Sequence, residues 1–337
     1  MLRDSENHEI VLLDKPNGHV IIVGKSGFGK TYFTCRQLED QYKRGKKSIV
    51  FDYSASYTVN ELKKNKFCLL DRIMVLNLAE EQIIWNLQED YAETILIAAF
   101  VNSLKIVSYY QKSLLKSIIG DTFDKYREFS MGILIQEMEK RFFDELNPDK
   151  QKNLGHLLTR FDPYSSIDGI IFKKGRIQEN TSPITIFQIS DYPEMERKFL
   201  MGFLSEILWN EIRQRKKGQK IIIFDEFQNL DLTSGSAIPS MLREGRKFGL
   251  ALYLASQFVN NYDKEVINTI FQAANLIVFR PVESEIPMYS GYFDMKEKAF
   301  WEKELARLQI GQCVVSGSCI LSGKNQPINR PIICCVK

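Results

Sequence analysis

The chain alternates between two textures. Short, almost unbroken apolar runs recur: EIVLLD and HVIIVG within residues 9–23, SIVFD at 48–52, a run at 72–76, ITIFQI at 184–189, KIIIFD at 220–225, LALYLA at 250–255 and NLIVF at 275–279. Runs this short and this rich in Val and Ile predict strands covered on both faces, as in parallel sheets. Between them lie longer amphipathic stretches, from Lys30 to Arg44 with Gly45 as its stop, and from Glu194 to Lys217. Both predict helices. The cluster from Lys15 to Gly18 predicts a turn. Strand and helix in alternation predict a layered α/β fold built on a mostly parallel sheet.

From about Tyr91 to Arg160 the texture changes. Apolar residues recur at helical spacing through AETILIAAFVNSL, SLLKSIIGDTF and MGILIQEMEKRFF, and no strand-like run interrupts them. The pattern predicts an inserted α-helical subdomain of about four helices. The expected division is therefore a first core segment at 1–84, the insertion at 85–165 and a second core segment at 166–337. The tail from Gly311 to Val336 reads as short strands joined by Gly-Ser turns.

The chemistry sits at strand ends. Gly24 to Thr31 (GKSGFGKT) matches the phosphate-loop pattern G-x-x-x-x-G-K-S/T at every fixed position, after a predicted strand and before a predicted helix. Gly24, Gly27 and Gly29 let the backbone wrap a phosphate chain, and Ser26, Phe28 and Tyr32 complete the loop and its first helical residues. Lys30 is expected on the β- and γ-phosphates and Thr31 on Mg²⁺. The strand IIIF ends in Asp225 and Glu226. Asp225 is the expected metal-side acid and Glu226 the group that polarises the attacking water. The next apolar strand ends near Gln257, placed to hydrogen-bond a γ-phosphate or that water. Between those strands lie Arg243 and Arg246, of which Arg246 is slightly favoured as a finger acting on a neighbouring subunit's ATP.

Composition narrows the partners. The formal net charge is +3, so no chain-wide basic field marks an obligate nucleic-acid binder. Local basic runs remain at Lys43 to Lys47, Lys63 to Lys66 and Arg213 to Lys217. In a ring they would repeat around a pore, where weak local charge adds up. Six cysteines without a C-x-x-C pair, and three histidines, argue for scattered reduced thiols rather than a zinc site. The polar start MLRDSENHEI does not read as a signal peptide, and the longest apolar run, Ile95 to Val101, is too short to span a bilayer. A soluble, cytoplasmic protein without direct membrane insertion is expected.

The motif order resembles the HerA–FtsK superfamily of P-loop motor ATPases, through NGHVIIVGKSGFGKTYF, KIIIFDEFQNL, MLREGRKFGLALYLASQ and ANLIVFR. Arg160 to Tyr164 (RFDPY) and LARLQIGQCVVSG also look like ATPases of type IV secretion and conjugation. The resemblance implies a RecA-like fold, a homo-oligomer that is usually a hexameric ring, ATP and Mg²⁺ bound between subunits, and DNA threaded through the centre. It suggests a DNA translocase working beside a nuclease or other effector, in a mobile element or in antiphage defence. Two other readings stay open: an ATP-gated ring that switches on a partner protein, and an energiser of secretion or conjugation.

Overall fold

The computed structural model describes residues 1–14, 17–175, 182–215, 220–233, 235–272, 274–322, 327–328 and 330–337. Lys15 and Pro16 of the expected turn, and residues 216–217 of the third basic run, lie outside them. The centre of the molecule is a parallel sheet. Its strands are β3 (His19–Val23), β4 (Lys47–Asp52), β5 (Ile73–Asn77), β9 (Ile184–Gln188), β10 (Lys220–Phe224), β11 (Leu250–Ser256) and β12 (Ala274–Phe279). They stand in the order β12-β3-β11-β10-β4-β9-β5. The sheet continues beyond β12 as an antiparallel half. It is built from β1 (Leu2–Arg3), β2 (Glu9–Leu12), β13 (Gln312–Ser316), β14 (Cys319–Leu321), β15 (Pro327–Ile328) and β16 (Ile332–Val336), in the order β15-β14-β2-β1-β16-β13-β12. The sheet is thus mixed, parallel around the cleft and antiparallel at the far side.

Successive strand residues point to opposite faces, and the core divides accordingly. Ile21, Val23, Phe51, Ile222, Phe224, Leu252 and Leu254 join one buried cluster. Val20, Ile22, Val50, Ile221, Ile223 and Tyr253 join the other. The second face is covered by α1 (Lys30–Lys43), which contributes Phe33 and Leu38, and by α2 (Val59–Lys64), which contributes Leu62. This double burial is why the strands read as continuous apolar runs. At the foot of β3, buried His19 accepts the Leu252 N–H on Nδ1 at 2.8 Å, and burial pushes its pKa down to about 4.

The insertion contains α3 (Ala92–Ser103), α4 (Tyr109–Tyr126), α5 (Met131–Asp144) and α6 (Pro148–Phe161). Ser108, Ser130 and Asn147 cap the last three through their side chains. α3 packs along the long α7 (Glu194–Arg215) and the other three helices pack around it, with Phe100 against Phe161 and Phe203. The strand-free reading of this region is corrected. β7 (Glu128–Phe129) lies between α4 and α5, and it pairs with β8 (Ile170–Lys174), which in turn pairs with β6 (Ile83–Leu87). The expected boundary between residues 84 and 85 falls inside β6. A two-residue strand has no detectable period, so its sequence carried no signal. The chain finishes its helical layer with α8 (Ala237–Glu244), α9 (Lys264–Gln272), α10 (Ile286–Phe293) and α11 (Lys298–Arg307).

Candidate active site

A cleft of about 440 Å³ opens where β3, β4 and β10 end. Its lining includes Ser26, Gly27, Gly29, Lys30, Thr31 and Tyr32 from the loop after β3, Ser54 and Ser56 after β4, and Asp225 and Glu226 after β10. Carboxyl ends of parallel strands are where such folds hold ligands. The sequence brings the groups together by placing each motif immediately after a buried strand.

Backbone geometry explains the loop's glycines. Gly24 has φ 147°, and a Cβ there would lie 2.6 Å from Cβ of Phe279. Gly29, which opens α1, has φ 112°. Neither position tolerates a side chain without strain. Two expected binders do not line the cleft. Gly24 is buried against β12, and Phe28 faces Arg280 while its carbonyl accepts the Gly311 N–H at 3.0 Å. Their part is to set the loop's shape.

Lys30 Nζ donates to the carbonyls of Gly24 at 2.6 Å and Lys25 at 3.1 Å. Burial lowers its pKa, while the nearby charges of Glu226 and Asp225 oppose that shift. The ammonium is therefore aimed into the loop's concave side, where an anion would meet it together with the N-terminus of α1. We predict that Lys30→Ala costs about 2 kcal/mol or more of nucleotide binding, roughly 30-fold in Kd. Titration with a fluorescent ATP analogue checks this, and unchanged affinity in a folded variant would remove Lys30 from the site.

Asp225 is buried beside Asp52, the residue at the corresponding place on the neighbouring strand β4. Burial, then Asp52, then Glu226 raise the Asp225 carboxyl to about 7, while the Ser54 hydroxyl and Lys30 oppose the rise. Burial likewise lifts Asp52 to about 6. Two adjacent buried acids are costly when ionised, and a cation at the cleft would relieve that cost. Among the described residues no group of three or more His, Cys, Asp or Glu side chains could hold a metal. The donor set instead suits Mg²⁺, which takes one or two protein oxygens, here from Thr31 and Asp225, and fills its shell with phosphate and water.

Glu226 takes a left-handed backbone, φ 54° and ψ 50°, a conformation worth about 1 kcal/mol or more of strain in a residue with a Cβ. The turn is held by its surroundings. Gln257 Nε2 donates to one carboxylate oxygen at 2.8 Å and Gln228 Nε2 to the other at 2.5 Å. Ser256 Oγ donates to Gln228 Oε1 at 2.6 Å. Gln257 thus reaches the site through Glu226. Gln228 was not foreseen, because its contact depends on a turn that the sequence does not announce.

Arg243 and Arg246 are exposed and lie away from this chain's cleft. Arg246 sits in the turn just before Leu250 opens β11, whereas the cleft is at the other end of the strands. A seven-residue strand separates them, about 20 Å. The first two basic runs are only partly open patches. Lys46 is buried in an ion pair with Asp14 at 2.7 Å. The exposed Lys63, Lys64 and Lys66 flank Asn65, which lines the cleft.

A phosphate loop on a parallel sheet, faced at a strand end by a buried Asp and the half-buried Glu after it, defines the P-loop ATPase class. The model of the AAA-like domain family matches residues 13–329, and the chain belongs to that family. Over 331 residues it is 22% identical to a "probable helicase" of Methanocaldococcus jannaschii; the match takes in 90% of this chain and 60% of that one. The chain therefore spans about three fifths of that relative. VirB4 of Thermoanaerobacter pseudethanolicus superposes with a TM-score of 0.66 at 14% identity, over 97% of this chain and 95% of that one. The plasmid coupling protein TrwB with a non-hydrolysable ATP analogue gives 0.64 at 13% identity, over 93% and 84%. Both share the RecA-like sheet with its inserted helical subdomain.

Proposed function

We propose that this chain hydrolyses Mg-ATP at the cleft and uses the cycle to drive a motor built from several copies of itself. The observation that carries the reading is the convergence of Lys30, Thr31, Asp225 and Glu226 on one cleft. Loop N–H groups and Lys30 bind the β- and γ-phosphates. Thr31 and Asp225 hold Mg²⁺, which when bound neutralises phosphate charge. Glu226 orients and polarises the attacking water, and Gln257 holds one oxygen of the Glu226 carboxylate and so acts through it. Arg246, or Arg243 beside it, acts on the ATP of an adjacent copy, since neither lines its own cleft.

The assembly we favour is a cytoplasmic hexameric ring that translocates DNA beside a nuclease or other effector. Among the described residues no helix is long and apolar enough to cross a membrane. A second reading, an ATP-gated ring that activates a protein partner, is favoured by one observation: the first two basic runs are engaged in an ion pair or grouped at the cleft rim. The deciding experiment measures ATP hydrolysis with and without double-stranded DNA, on sized fractions, across a salt series. Several-fold stimulation in the hexamer fraction, fading as salt rises, is expected of the translocase. A hexamer whose hydrolysis ignores DNA would replace it with the gated ring.

A further inference from the structure

In the sequence Asp52 is the end of an apolar run and Ser54 belongs to no motif. In the structure they organise both halves of the cleft. The Asp52 carboxylate accepts the N–H of Ser56 on one oxygen at 2.8 Å and that of Tyr57 on the other at 3.0 Å. Those bonds curl the segment after β4 back over the strand end. The turn presents two hydroxyls in different directions. Ser54 Oγ donates to Asp225 Oδ2 at 2.5 Å. Tyr57 OH lies 2.7 Å from Thr34 Oγ1, and Thr34 Oγ1 donates to the carbonyls of Lys30 and Thr31, each at 3.0 Å. One carboxylate therefore ties the acid that follows β10 to the first turn of α1, through a Ser54–Asp225 bond that spans 171 residues of sequence. Ser54 is itself at the cleft wall and exposed, whereas its acceptor is buried.

A carboxylate has two oxygens, and a rotation about its terminal torsion exchanges the one that faces the cleft. The hydroxyl of Ser54 occupies Oδ2 and so leaves Oδ1 for another partner. Hydrogen bonds of this kind to a metal-binding side chain fix its orientation and raise its affinity.

We propose that Ser54 and Asp52 are positioning residues of the ATPase site: Asp52 folds the turn, and Ser54 holds the Asp225 carboxylate in the orientation that takes the divalent cation. The proposal rests on the reading of the cleft as a Mg-ATP site. It assigns these residues to the metal rather than to the nucleotide.

The test separates the two. Mn²⁺ binding to the full chain saturated with ADP is followed by electron paramagnetic resonance, and binding of a fluorescent ATP analogue is titrated in EDTA and in Mg²⁺. Ser54→Ala is expected to weaken Mn²⁺ binding about tenfold and to leave nucleotide affinity in EDTA unchanged. Ser54→Thr, which keeps the hydroxyl, restores Mn²⁺ affinity. Asp52→Asn, whose amide replaces one of the two acceptors, shifts Mn²⁺ affinity in the same direction. Unchanged Mn²⁺ affinity in Ser54→Ala would overturn the proposal, as would an equal loss of nucleotide affinity in EDTA and in Mg²⁺, since that pattern marks a general loosening of the loop. Failure of the wild-type chain to bind nucleotide at all would instead remove the Mg-ATP reading beneath it.

Discussion

Glu226→Gln binds ATP as the wild type does and hydrolyses it about a thousand times more slowly. The expectation follows from what the carboxylate does and what an amide cannot do. Glu226 can attract a proton from water; a glutamine cannot. The substitution also disturbs the latch. Both carboxylate oxygens now accept amide N–H groups, one from Gln257 and one from Gln228. A glutamine has one acceptor oxygen, so its own NH₂ must oppose one of those donors. The backbone at 226 stays left-handed in either case, since the turn is also fixed by the Asn229 N–H donating to the Glu226 carbonyl at 3.1 Å. Nucleotide affinity is thus preserved while turnover is lost. Single-turnover hydrolysis beside an equilibrium titration checks both halves. Ordinary turnover in the variant would transfer the role to another group.

Arg246→Ala is expected to lower hydrolysis by about a thousandfold without weakening nucleotide binding. The reason is its location in the turn before β11, at the opposite end of the strand from its own cleft. Mixing resolves the geometry. A chain with Arg246→Ala retains an intact cleft, and a chain with Glu226→Gln retains its arginine. In mixed assemblies some interfaces pair the good half of each, so activity returns above that of either variant alone. If assemblies proven to exchange subunits stay inactive, the arginine does not act across an interface.

The phosphate loop and the Asp–Glu pair were legible because each is a contiguous string beside a buried strand. The inner strands of the parallel half were legible for the related reason that burial on both faces leaves an unbroken apolar run, and the half-buried edge strand β5 still carries four apolar residues in a row. Ser54 was not, because its role depends on a partner that only the register of β4 beside β10 brings near. Gln228 was hidden by the left-handed turn at Glu226, a conformation for which an acidic residue gives no local cue. The small sheet of β6, β8 and β7 escaped because exposed or half-buried strands, one of them two residues long, leave little apolar pattern. Arg243 and Arg246 are legible as residue types, but a single chain's sequence does not say which cleft they would serve.

One buried side chain gives the insertion a mechanical meaning. Glu206 on α7 accepts the Asn102 amide from α3 on one oxygen at 3.0 Å and the N–H of Ala237, which opens α8, on the other at 2.6 Å. The neighbouring ion pair of Lys105 with Asp231 is exposed and adds little. Glu206 is a pivot pinned on both sides, with the insertion on one arm and, on the other, the helix whose far end carries Arg243. The insertion and the helix that carries Arg243 thus share one buried anchor and are not independent parts.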